Sequence, residues 1–157
     1  MSDIRIRPYR PEDRAFFQEM EFATTWESLT AADRQRLSPD EVRAALEQTH
    51  AMLLDRAGSA IFIAETAAGE RVGLLWFGVN RNLMTGEDEA WVYNVSVVPA
   101  ARGQGIGRRL MAHAEAHARR QGFAVLGLMV ARHNAPARRL YEQLSFETTH
   151  LVMRKPL

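Results

Sequence analysis

The chain has 157 residues, 46% of them hydrophobic and 25% charged, which makes one domain of ordinary size over residues 1–157 with enough apolar side chains for a core. It contains no cysteine, which excludes disulfides, thiolate zinc sites and a thiol nucleophile. The net charge of +1 is uneven: residues 1–80 carry 9 Arg against 13 Asp and Glu, whereas residues 81–157 carry 11 Arg and Lys against 6. Such a split suits a cationic substrate beside an anionic cofactor, although on charge alone solvated faces explain it as well.

In chain order, "IRIRPY" alternates from Ile4 and predicts a strand ending at Pro8. "RPEDRAFFQEMEFATTW" predicts a helix with Phe16, Phe17 and Met20 on one side. "SPDEVRAALEQTHAMLLDRAG" predicts a second helix, with Ser38 as N-cap, Pro39 at the first position, Glu41 at capping-box spacing and an end at Gly58. "SAIFIAET" and "RVGLLWFGVN", joined by a turn at Ala68-Gly69, read as a hairpin, and "RNLMTGEDE" as a polar loop. "AWVYNVSVV" is β-branched and aromatic, a central strand ended by Pro99.

Gly105 to Gln121 predicts a long helix with Leu110, Met111, Ala114 and Ala118 on its apolar face. "FAVLGLMV" predicts a buried strand, Asn134 caps a short helix over "APARRLYEQL", and "FETTHLVMRKPL" closes as one or two short strands. The order β-α-α-β-β-β-α-β-α-β predicts an α/β protein with a mixed central sheet and helices on its faces. Charged residues throughout the first twenty positions and the lack of a long apolar run lead us to expect a cytoplasmic chain without a membrane span. Nucleic acid is not an expected partner, since no basic run is interleaved with aromatics.

Chemistry concentrates at "VVPAARGQGIGRRL", residues 97–110, where Gly103, Gly105 and Gly107 stand between a strand and a helix. The first N–H groups of a helix lack intrahelical partners and carry the positive end of its dipole, so a glycine-rich approach lets a phosphate reach them. Arg102, Arg108 and Arg109 add positive charge. The dinucleotide fingerprint fails because Arg108 stands at its third glycine, and no triphosphate loop motif occurs.

"NVSVVPAARGQGIGRRL" resembles the GNAT superfamily of acetyl-CoA-dependent N-acetyltransferases, whose [Arg/Gln]-x-x-Gly-x-[Gly/Ala] signature falls on Arg102, Gly105 and Gly107. A second block, "HNAPARRLYEQLSF", is similar to the family's later helix at Asn134, Ala137, Tyr141 and Phe146. The resemblance covers nearly the whole chain and is strongest over residues 91–146. It implies a GNAT fold whose sheet splays at the cofactor, with acetyl-CoA as cosubstrate and no metal. It further implies that amides around Gln104, Gly105, Ile106, Gly107 and Arg108 hold the pyrophosphate and that the backbone of Val95 to Val97 pairs with the pantetheine. Asn134 would bond the pantetheine, with Arg138 on the same helical stripe, and Tyr141 would lie near the thioester sulfur. The acceptor would be an amine of a small molecule or peptide; a protein N-terminal or lysine acetyltransferase, a non-catalytic CoA-binding module and a homodimer all stay open.

An alkylammonium must lose a proton before it attacks a thioester, and a carboxylate is the usual acceptor. Relatives place a Glu on the strand before the glycine turn or on the strand after the long helix; Trp91 and Met129 stand at those positions here. Glu89, two residues before Trp91 on the same strand face, is the expected base, with Tyr93, Glu21 and Glu27 as substitutes. His113 and His117 are spaced i, i+4 but have no third ligand in view and read as a solvated face, and His133 reads as an exposed neighbour of the Asn134 cap. Ser145 replaces a glycine usual before Phe146.

Overall fold

The structure, a computed structural model, describes residues 3–157. β1 (Ile4–Pro8) leads through a 3₁₀ turn at Pro11–Asp13 into α1 (Arg14–Ser28), α2 (Ala31–Arg36) and α3 (Pro39–Leu53). β2 (Ala60–Thr66), β3 (Arg71–Arg81) and β4 (Asp88–Val97) follow, then α4 (Ile106–Arg120), β5 (Leu126–Leu128) and α5 (Ala135–Gln143). The sheet order is β1-β2-β3-β4-β5, antiparallel except for the parallel β4–β5 pair. This is the mixed α/β sheet expected, with α4 and α5 packed on one face and α1 and α3 on the other.

Local chemistry explains the elements. Ser38 Oγ accepts from the Glu41 amide while the Glu41 carboxylate accepts from the Ser38 amide, and Pro39 fills the first helical position, so α3 starts as its sequence predicts. Leu110, Met111, Ala114 and Ala118 bury the apolar stripe of α4 against Phe77, Ala90 and Val92. On the opposite face, Phe17 and Met20 of α1 pack with Ile63, Leu74 and Trp76.

Several expectations are corrected. α2 is an additional helix, nucleated where Thr30 Oγ1 accepts from the Asp33 amide. α3 stops at Leu53, and Gly58 stands beyond it in a turn with φ +86°. Arg81, Asp88 and Glu89 belong to β3 and β4 rather than to the loop. β5 is three residues long and only partly buried, with Val125 and Met129 exposed beside it. The closing segment forms no strand: Leu151, Val152 and Met153 face solvent, and Arg154 is tied to Asp33 at 2.6 Å. A short apolar run there is not enough, because a strand also needs a ladder to join.

His113 and His117 do not form a solvated face. Their rings lie edge-on to Phe62 at 4.4 and 5.2 Å, His117 also meets Phe77 at 4.6 Å, and His113 Nε2 is buried without a partner. Burial first, and then the charge of Arg120, pushes both imidazoles below their ordinary value of 6.5. The fold therefore favours the neutral rings while the unfolded chain takes up protons, so their contribution to stability is lost as pH falls through 6.5. His113→Leu is expected to reduce the drop in Tm between about pH 7.5 and 5.5; an unchanged pH dependence would assign that drop to other groups.

Candidate functional site

β4 and β5 pair only from Ala90–Leu126 to Val92–Leu128, and beyond that point Tyr93 to Val97 have no strand partner on the β5 side. Val95 and Val97 turn their side chains into the core beneath α4, so any contact they make at this edge is through backbone. The edge leads directly into the glycine turn and the N-terminus of α4.

At that turn Gly103 and Gly105 take φ of +77° and +79°, the left-handed region that favours glycine, and a Cβ at either would meet nothing within 4 Å. Among the described residues, none of the backbone N–H groups from Gly103 to Arg108 donates a hydrogen bond within the fold, while the Arg109 amide starts the ladder by donating to Gly105 O at 3.1 Å. Six consecutive donors without a partner in the fold thus stand at the positive end of a fifteen-residue helix, the chemistry that an anion requires. Gly107 has another reason to be glycine: its Cβ would stand 3.3 Å from Leu140 Cδ2, so the absent side chain allows α5 to approach α4. Packing against α5 thus bears on Gly107 in addition to any room needed at the turn.

The nearby arginines divide their work. Arg102 donates from Nε to Val97 O at 3.1 Å and reaches Glu27 at 3.4 Å. Arg108 donates to Gln143 Oε1 at 2.7 Å, and Arg109 is committed to Ile4 O on β1. Gln104 is exposed and Ile106 is buried in the core, so each can offer an anion a free amide.

At the start of α5, Asn134 Oδ1 caps the helix by accepting from the Ala137 amide at 3.2 Å, which leaves its Nδ2 free for a ligand. Arg138 donates to Arg132 O at 3.2 Å. Tyr141 packs against Phe146 with ring centroids 5.8 Å apart and lies against the α4-side core. Burial pushes its phenol up to about 12, so the hydroxyl keeps its proton at neutral pH. The end of α1 bridges the two sides: Glu27 meets Arg102 through its carboxylate, and His133 Nε2 lies 2.7 Å from Glu27 O. Ser145 ends α5 with φ +65°, and Phe146 donates back to Tyr141 O at 2.9 Å, so a serine holds the left-handed position a glycine would fill without strain.

The carboxylates separate clearly. Glu89 lies opposite Asn80 at the start of β4, accepts from Asn82 Nδ2 at 2.8 Å, and stands before the β5 pairing begins. Along the strand it is roughly 13–17 Å from Tyr93 and Asn94. Glu21 instead is 5% exposed and contacts two groups, Asn94 Nδ2, which donates to Oε1, and His50 Nε2, 3.1 Å from Oε2. A bulge in the β3–β4 register between Trp76 and Phe77 turns both Tyr93 and Asn94 toward the α1 face. His50 and Asn94 escape sequence reasoning; a polar Asn inside "AWVYNVSVV" was the one available signal.

Several exposed or partly exposed acidic groups are paired with arginines: Glu19 with Arg43, Asp33 with Arg36 and Arg154, Asp88 with Arg81. Among the described residues no group of three or more His, Cys, Asp or Glu is placed to hold a metal, and no helix is long and apolar enough to cross a membrane.

The sequence model of the Acetyltransferase (GNAT) family matches residues 20–146. A mycothiol acetyltransferase of Saccharomonospora viridis is 37% identical over 111 residues, 69% of this chain and 36% of that protein. The [ribosomal protein bS18]-alanine N-acetyltransferase of Escherichia coli strain K12 is 42% identical over 59 residues, 38% of this chain and 40% of that protein. The chain thus spans well under two thirds of the length of these curated relatives. A solved structure of a Pyrococcus furiosus protein, to which an acetyl transferase role has been attributed, superposes with a TM-score of 0.84 at 24% identity over 99% of this chain and all of that one, a likeness of fold.

Proposed function

The chain belongs to the GNAT acetyltransferase family, and from that membership we propose that it transfers the acetyl group of acetyl-CoA directly to an amine of a small molecule or peptide. The observation that carries the reading is the run of free amides from Gly103 to Arg108 at the start of α4. It suits a pyrophosphate, and the edge of β4 beyond Val92, unpaired on the β5 side, offers the free backbone that an extended pantetheine arm requires.

The thioester supplies an activated acetyl group, and the chain's own residues supply the rest. Amides at the α4 N-terminus hold the anionic end, with Arg102 and Arg108 close by. Asn134 Nδ2 and the Val95–Val97 backbone orient the arm. The Tyr141 hydroxyl, kept protonated by burial, donates to the sulfur as it leaves. With no cysteine in the chain, a thiol-bound acetyl-enzyme has no carrier, which favours attack within a ternary complex. Glu89 keeps its strand position but lies far along β4 from the free edge, which weighs against it as the base.

Gly105→Ala tests this phosphate site. A Cβ there strains a left-handed residue in the middle of the run of unpaired amides, so acetyl-CoA affinity measured by calorimetry should fall at least about tenfold, with only a small change in Tm. Unchanged affinity would place the phosphates elsewhere. Gly107→Val is expected to act differently, by forcing α5 off α4 at Leu140.

A further inference from the structure

Among the described residues four carboxylates are buried, and three are clamped by permanent cations: Asp33 accepts from Arg36 and Arg154 at 2.8 and 2.6 Å. Asp13 accepts from Arg7 and Arg71 at 2.7 and 2.6 Å, and Glu65 accepts from Arg7 at 2.6 Å and from Arg5. Glu21 is held instead by an amide and an imidazole. Among the described residues no Arg or Lys bonds to it, and the other titratable groups in the same apolar cluster are Tyr9 and Tyr93. The His50 ring is fixed between Phe17 at 4.9 Å and Trp76 at 5.6 Å, so its Nε2 is aimed at Glu21 by packing.

Beside this carboxylate β4 presents two oxygens without partners. Asn94 is 5% exposed, and its Oδ1 has no hydrogen bond while its Nδ2 serves Glu21. Ser96 Oγ, two residues on and on the same face of the strand, is likewise buried and unpaired. Unmet polar atoms under cover are costly unless a ligand or water completes them. A carboxylate, an amide oxygen and a hydroxyl oxygen together match the three N–H donors of a primary ammonium. They line the stretch of β4 from which β5 has parted.

We propose that the acceptor's ammonium docks against Asn94 Oδ1 and Ser96 Oγ and loses its proton to Glu21, which His50 holds in place. The proposal rests on the acetyl-transfer reading and names the base and the acceptor class for it: a primary amine that is cationic in solution. The proton passes from nitrogen to a Glu21 carboxylate oxygen, leaving a neutral amine and a carboxylic acid. The freed lone pair forms the C–N bond, the C–S bond breaks, and the sulfur takes its proton from Tyr141. The second amine proton restores Tyr141, and the Glu21 proton returns to solvent, one proton net per turnover. Both β4 oxygens are closed to solvent in the free protein, so docking parts α1 from β4. Glu21 is the catalytic residue here, and His50 is a positioning residue.

The test is kcat/KM for acetyl transfer to primary amines of graded basicity, from alkylamines to aromatic amines already neutral at the assay pH. Glu21→Gln is expected to lose about 10²-fold or more on alkylamines and less than about tenfold on the neutral aromatic amines. His50→Gln, which keeps an N–H donor, should stay within about tenfold of wild type, whereas His50→Leu should follow Glu21→Gln. An equal loss on every amine, or wild-type rates for Glu21→Gln on alkylamines, overturns the proposal. Should Glu21→Gln fail to fold, Ser96→Ala decides: a rise of about threefold or more in the alkylamine KM at constant acetyl-CoA affinity supports the docking, and an unchanged KM overturns it. A wild-type protein that binds acetyl-CoA yet releases no thiol with any amine would instead defeat the transfer reading itself, a result distinct from any variant pattern.

Discussion

Tyr141→Phe is expected to lower kcat about 10²-fold while the KM for acetyl-CoA changes by no more than about twofold. Phenylalanine preserves the ring that packs against Phe146 and the α4-side core, so the end of α5 and the core beneath it keep their shape. What it removes is one hydroxyl, which burial holds protonated by raising its phenol to about 12. A free thiolate near pKa 8.5 leaves more readily when a neutral donor waits beside it, and that interaction grows only as the C–S bond breaks. A mutant with full kcat, under conditions where chemistry limits turnover, would reduce Tyr141 to a packing residue.

Asp13→Asn is expected to be the most damaging conservative change to stability, costing about 3–5 kcal/mol in urea denaturation. Asp13 is fully buried and accepts from Arg7 at 2.7 and 3.0 Å, from Arg71 at 2.6 Å and from the Arg10 amide at 2.8 Å. Asparagine keeps the shape but leaves the buried Arg7 facing the site without that countercharge, Glu65 alone remaining. Arg5→Ala removes the exposed partner of Glu65 and should cost no more than about 1 kcal/mol. Equal effects of the two changes would contradict this division.

The same cluster sets the acid limit. Hydrogen bonds from Arg7, and then from Arg71, hold the Asp13 carboxyl far below its ordinary 3.8, and Arg7 likewise holds Glu65 below 4.5. Both groups are charged in the fold at pH values where the unfolded chain begins to bind protons. Their stabilisation is therefore complete above 4.5 and is lost as pH falls below it.

Local signals made most of the fold legible. Ser38-Pro39 and Glu41 fixed the start of α3, and the stripe from Leu110 to Ala118 fixed the buried face of α4, because each depends on residues within a few positions of one another. α2 escaped notice although Thr30 and Asp33 carry a cap pattern, since six residues leave no room for periodicity. The tail from Glu147 looked strand-like, yet pairing is a property of two segments, and Arg154 ties it to Asp33.

At the site, Gly103 and Gly105 could be read because positive φ has few sequence solutions. The packing constraint on Gly107 is not legible locally, because it lies on another helix, at Leu140. The Glu21–His50–Asn94 network joins residues 29 and 73 positions apart, and the bulge that turns Asn94 inward leaves no mark on the alternation of β4. Glu89 was attractive by its distance in sequence from Trp91, but the β5 pairing from Ala90 onward lies between it and the free edge.

The central claim, that acetyl passes from acetyl-CoA to an amine, is tested most directly by following CoA-thiol release with and without a panel of primary amines and identifying the product by mass. The expected result is amine-dependent release, with one acetylated amine formed per thiol. Tight binding of acetyl-CoA with no amine-dependent release would contradict it and leave a CoA-binding module on the same fold.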